Sequence, residues 1–285
     1  MNSRNGLNLA LLVLVVAIAL IALYLPGIKK PVPLPLLTQL LPEQITHIHI
    51  ARGGQQDIDL VKNTQGWTMI APLPMPANAF RIDGLLRLTQ TRSQSQFPVT
   101  AQDLRKFNLD APPIRVRLND TEIAFGAMEP LNHQRYVLIG NTVHLIFDIQ
   151  HVNLIAPPTV WISNSLLPPA AQLTELTLPS VTLTRQDNGH WSVSPASTEL
   201  SGDNINVLLD EWTHAQAVQV NPYANAPAQG EVTVRLRSDP NPIRFVITGR
   251  QPELILARTD LGVQYHLPAA LADRLLKLPV TSSNK

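Results

Sequence analysis

Apolar positions along the chain fall into two regimes: one unbroken run near the N-terminus, then short alternating or helically spaced patterns. From Leu9 to Leu25 the sequence LALLVLVVAIALIALYL carries no charge over seventeen residues. At about 1.5 Å per residue that is a helix of roughly 26 Å, close to the ~30 Å of a hydrocarbon core, with Tyr24 suited to one interface. Twelve of the seventeen residues are Leu, Val or Ile, so insertion is favoured by about 4–7 kcal/mol. A cleaved signal peptide is the rival reading. Against it, the run is longer than a usual signal core, and Tyr24-Leu25-Pro26-Gly27 offers no small-x-small cleavage site.

Beyond the run, the same order of signals occurs twice. In the first half an alternating strand (Ile48, Ile50) leads to a second (Ile58, Leu60), and the turn NTQGW then delivers Trp67 onto a third that stops at Pro72. The second half repeats this with Leu176 and Leu178, Val181 and Leu183, and QDNGHW delivering Trp191 before Pro195. Both tryptophans are expected to anchor the core of their meanders. A helix follows each time, with Ile82, Leu85, Leu86 and Thr89, or Ile205, Leu208, Leu209 and Trp212, on one stripe. Asn78 and either Ser201 or Asp203 are the expected N-caps. Closing strands come next, IRVRL from Ile114 and VTVRL from Val232, with arginine on one face and apolar residues on the other. Thr100 and Asp103 suggest a capping box for a short helix ending near Phe107, and Ala269 to Leu278 reads as a last helix.

The expected fold class is therefore α+β: a single N-terminal transmembrane helix followed by two similar modules, each an antiparallel sheet with a helix packed on one face. The boundaries are a tail at 1–8, the transmembrane helix at 9–25, a Pro-rich linker at 26–43, a first module at 44–156, a second at 157–278, and a polar tail at 279–285. Twenty-five prolines mark the element breaks. A net charge of +1, from 22 basic and 21 acidic residues, gives no footprint for nucleic acid. With no cysteine, disulfides and a lipoprotein attachment site are excluded. Lys29 and Lys30 after the run, against Arg4 before it, leave the orientation open.

Candidate chemistry is sparse. His47 and His49 project from one strand face and could ligate a metal with His133, His144 or His151 as a third ligand. The matching positions in the second half are read as Glu175 and Thr177, so an exposed polar face is the favoured alternative. Asp57 and Asp59 form a possible carboxylate pair, but they flank core-facing Ile58 and Leu60, as a solvated hairpin face does. No nucleophile motif or phosphate loop is present, and Gly53-Gly54 belongs to a hairpin turn. The site assignment is accordingly no catalytic, cofactor-binding or metal residue, and no enzyme activity is expected.

Several of these landmarks resemble the DUF4340 family of bacterial membrane-anchored proteins: Ile48-x-Ile50, Trp67-Thr68-Met69 with Pro72, the NAFRIDGLLRLTQ helix, DLRKFNLDAPP and RYVLIG. The likeness covers residues 45 to 150, and less closely TVWISNSLLP from Thr159 to Pro168. Asn108 stands where the family usually has glycine, and Asn78-Ala79 where Ala-Asp is common. The resemblance implies a bacterial inner-membrane, single-pass protein with its C-terminal part in the periplasm. The expected role is a non-catalytic scaffold or accessory subunit of an envelope assembly, such as a transporter-associated one. Its partners would be the bilayer through residues 9–25 and an unidentified envelope protein, with no nucleic acid. The alternative is a ligand-binding or sensory module with its site between the two repeats.

Overall fold

The structure, a computed structural model, describes residues 3–24, 33–100, 103–196 and 202–278, with side chains in the N-terminal helix described over 5–21. It separates into two units, Met1–Pro35 and Leu36–Lys285. The first contains helix α1 (Ser3–Tyr24), whose side chains from Leu9 to Ile21 are all apolar. Among the described residues no helix is long and apolar enough to cross a membrane. The expected span of 9–25 runs past the described side chains, and its Tyr24 interface side chain lies outside them.

In the second unit the repeat is visible as two antiparallel sheets. The first module is built from β1 (His47–Arg52), β2 (Ile58–Asn63), β3 (Gly66–Ala71), β4 (Met75–Pro76), helix α2 (Ala79–Leu86), β5 (Ser95–Pro98), β6 (Ile114–Leu118), β7 (Thr121–Met128), β8 (Arg135–Ile139), β9 (Thr142–Ile146) and α3 (His151–Ile155). The second contains β10 (Leu173–Thr177), β11 (Thr182–Arg185), β12 (Trp191–Ser194), α4 (Gly202–His214), β13 (Gln219–Pro222), β14 (Gly230–Leu236), β15 (Asp239–Gly249), β16 (Glu253–Arg258), β17 (Val263–Pro268) and α5 (Ala270–Leu276). Strand order is β4-β3-β2-β1-β6-β7-β8-β9-β5 in one sheet and β12-β11-β10-β14-β15-β16-β17-β13 in the other. Without β4, the two orders are the same topology.

Each module lays down a three-stranded meander, crosses by a helix to the far edge, adds a strand there, and fills the middle with a four-stranded meander. The sequence pattern assigns no element to the two far-edge strands, β5 and β13. They are short and mostly exposed, and their pairing with β9 and β17 comes from the partner strand rather than their own pattern.

Structural register also shifts the equivalence between modules by two residues. Ile50 pairs with Val116, and Leu176 pairs with Val234, so Glu175 occupies the place of His49 rather than that of His47.

The helices follow their stripes with two differences. Asn78 Oδ1 accepts the Arg81 N–H at 3.2 Å, as an N-cap does. Helix α2 ends at Leu86 and tightens into a 3₁₀ turn over Arg87–Gln90, which carries the buried Thr89. In α4 Asp203 lies in the first turn rather than at the cap, and Ser201 is outside the described residues. The expected capping box at Thr100 is instead a side-chain bond, Thr100 Oγ1 donating to Asp103 Oδ2 at 2.7 Å ahead of a 3₁₀ turn, Leu104–Phe107. Asn108 ends that turn at φ 56°. Asn is among the few residues other than glycine that tolerate left-handed backbone.

One core runs through both modules. Its fully buried tryptophans are Trp161 and Trp212, whereas Trp67 and Trp191 are partly buried at its margin. The repeated tryptophans thus pack against the core from the third strand of each meander without being enclosed by it.

Candidate functional site

The two candidate clusters of the sequence, His47 with His49 and Asp57 with Asp59, come together on one face of the first sheet. Hairpin register sets His49 opposite Asp59. His49 Nδ1 lies 2.7 Å from Asp59 Oδ1, His47 Nε2 lies 3.4 Å from the same oxygen, and His49 Nε2 lies 3.7 Å from Asp57 Oδ2. Ile58 and Leu60, alternating with the carboxylates, are fully buried, as alternation requires. In the second module Glu175, in the place of His49, pairs instead with Arg235 on the other neighbouring strand, β14, at 3.3 Å. Cross-strand polar pairs such as these are what a solvated sheet face uses to hold register.

The other histidines do not join this face. His133 lies in the β7–β8 turn with φ 54°. Burial lowers the His144 pKa from its ordinary value, and its Nδ1 lies 3.1 Å from Ser93 Oγ. His151, 3.8 Å from Asp148, is also lowered, first by burial and then by the Arg135 charge. Among the described residues no three His, Cys, Asp or Glu side chains are grouped to hold a metal ion.

A different place was foreseen only as a cleft between repeats. The segment after the 3₁₀ turn Pro158–Trp161 threads between the modules and bonds to both. Asn78 N donates to Trp161 O at 2.8 Å and Ser163 N to Pro76 O at 2.7 Å, while Leu166 N donates to Ala215 O at 3.1 Å and Ala217 N to Asn164 O at 2.8 Å. Beside this seam lies a groove of about 570 Å³, lined by Trp67, Asn78, Phe80, Arg81, Asn164 and Gln216 among others. Its polar groups bond to one another and to the walls. Asn164 Nδ2 donates to Ala217 O at 3.0 Å, Asn78 Nδ2 to Asn164 Oδ1 at 3.4 Å, and Arg81 Nη1 to Asn153 Oδ1 at 2.7 Å. The arrangement offers amides, a guanidinium and two aromatic faces, but no nucleophile paired with a base.

The family described as "Domain of unknown function (DUF4340)" matches residues 67–229, more than half of the 285. The chain belongs to the DUF4340 family. The matched range begins at Trp67 on β3 and ends just before β14, so it contains the seam and the opening of the second module. The DUF4340 match thus reaches further into the second half than the resemblance at 45 to 150. No curated protein and no solved structure matches the chain.

Proposed function

We propose that this DUF4340 protein is a non-catalytic scaffold or accessory subunit of a bacterial envelope assembly. Residues 9–25 hold it in the inner membrane, and the two-module unit lies on the periplasmic side. The observation that carries the reading is the outer strand of the first sheet: β5, last in its order among the described residues, is exposed at three of its four positions. An open sheet edge offers unpaired backbone groups and invites strand addition by a partner. Anchoring is supported by α1, where Leu7, Leu9, Leu12 and Ile21 all expose more than half of their surface and require an apolar surrounding. The pairing of histidine and aspartate across β1 and β2 supports a structural rather than catalytic use of that face.

Crosslinking in intact membranes followed by affinity purification tests this, comparing the full chain with Ser95→Lys/Gln96→Lys, which puts charge on the β5 edge. One specific protein recovered with the full chain and lost with the double variant is the expected result. Recovery of no specific partner by the full chain would sink the scaffold reading. The groove favours a second reading, a small polar ligand held by Asn78, Arg81 and Asn164. Ligand-dependent protection against heat that disappears in Arg81→Ala would support it.

A further inference from the structure

The segment after β9 inverts the usual rule of burial. Phe147, Ile149 and Val152 are 54 %, 80 % and 73 % exposed, whereas the side chain of Asp148 is 2 % exposed and Gln150 is buried. Exposed large apolar residues alternating with buried polar ones are the informative exception to burial statistics. Their outward direction is fixed from beneath. Asp148 Oδ2 lies 2.5 Å from Arg135 Nε, and Asp148 Oδ1 accepts from the N–H groups of Gln150 and His151, both at 3.0 Å. Gln150 Nε2 donates to Gly84 O at 2.9 Å. A polar network thus holds an apolar surface up to the outside.

More apolar surface lies at the same end of the sheet. Met128 pairs with Arg135, and Arg135 with Ile146. Exposed Met128, and Leu131 in the turn beyond it at 85 % exposure, therefore flank the same strand ends.

The N-terminal tether joins the second unit here as well. Leu36, itself exposed, bridges to Arg92, and Gln94 N donates to Leu145 O at 2.8 Å, two residues before Phe147. By strand spacing and rise, that path from Leu36 to Phe147 is at most about 25 Å. The chain from Tyr24 to Leu36 can reach no further than roughly 40 Å when fully extended.

We propose that this end of the first module, centred on Phe147, Ile149 and Val152, seats in the interfacial layer of the bilayer. The occupant of the patch is lipid. This rests on the reading of α1 as a membrane anchor. The tether then delivers the apolar end to the surface, and side chains of this kind bury favourably at the headgroup and acyl boundary.

The test uses the absence of cysteine from the chain. Full-length Ile149→Cys, carrying an environment-sensitive fluorophore, is reconstituted into phosphatidylethanolamine–phosphatidylglycerol vesicles with or without nitroxide-labelled lipid. Thr64→Cys, in the turn at the opposite end of the same sheet, is the control. The proposal expects a blue-shifted label at position 149 that loses emission several-fold to nitroxide lipid, with position 64 unaffected. Protein that floats with the vesicles while position 149 stays solvent-like overturns this proposal and leaves the anchor standing. A blue shift without nitroxide quenching means a second copy covers the patch and also overturns it. Full-length protein that does not float at all removes both readings.

Discussion

Asp148→Ala removes the group that holds the apolar-out segment in place. The carboxylate is 2.5 Å from Arg135 Nε and caps the approach to α3 through two backbone N–H bonds of 3.0 Å. Without it the Arg135 guanidinium, 8 % exposed, keeps its bond to Gly126 O at 2.8 Å but has lost its counter-charge. Removing one member of a buried pair costs about 3–5 kcal/mol, because the remaining charge stays desolvated. For a unit of this size each kcal/mol lowers Tm by about 2–4 °C, so the expected loss is roughly 6–20 °C. Thermal unfolding of the detergent-solubilised full chain, followed by tryptophan fluorescence, measures it. Arg135→Met combined with Asp148→Ala should recover part of the loss, since no unpaired charge is then left inside. A fall of under about 2 °C in the single variant would refute the reasoning, because it would mean that water reaches the pair.

Three further outcomes are expected. Gly126→Ala should lose about 1–3 kcal/mol in urea unfolding, since a Cβ there would stand 2.3 Å from Phe107 O and 2.8 Å from the Leu109 side chain. Trp212→Ala should cost about 3–5 kcal/mol by the same assay; its ring is fully buried and its Nε1 donates to Leu275 O at 2.8 Å, tying α5 to α4. Stability should fall as pH drops below about 6.5. Burial lowers the pKa values of His144 and His151 from 6.5, so in that range the unfolded chain binds more protons than the folded one. His144→Gln should shrink the difference in urea midpoint between neutral and mildly acidic buffer, and an unchanged difference would contradict the assignment.

How far the fold was legible depended on whether an element carries its own pattern. The meanders, α2 and α4 announce themselves because their core-facing residues recur at fixed spacing, as Ile82, Leu85 and Leu86 do. Strands β5 and β13 were missed because Ser95–Pro98 and Gln219–Pro222 contain no alternating apolar set; a neighbour strand defines them. The seam was hidden for a related reason, since Trp161–Leu166 joins the modules through backbone N–H and C=O groups that every sequence supplies. The meeting of His49 with Asp59 was within reach, because the short β1–β2 hairpin fixes the register once Ile50 is set opposite Ile58. The inverted segment was not. Nothing in the sequence marks Phe147 and Ile149 as outward-facing; the buried pair of Asp148 and Arg135 shows which side faces inward.

Extraction of intact membranes with alkaline carbonate tests the central claim, anchoring by the N-terminal helix, most directly. The full chain should stay in the membrane pellet, and the chain beginning at Leu36 should pass into the supernatant. Release of the full chain by carbonate would contradict the account.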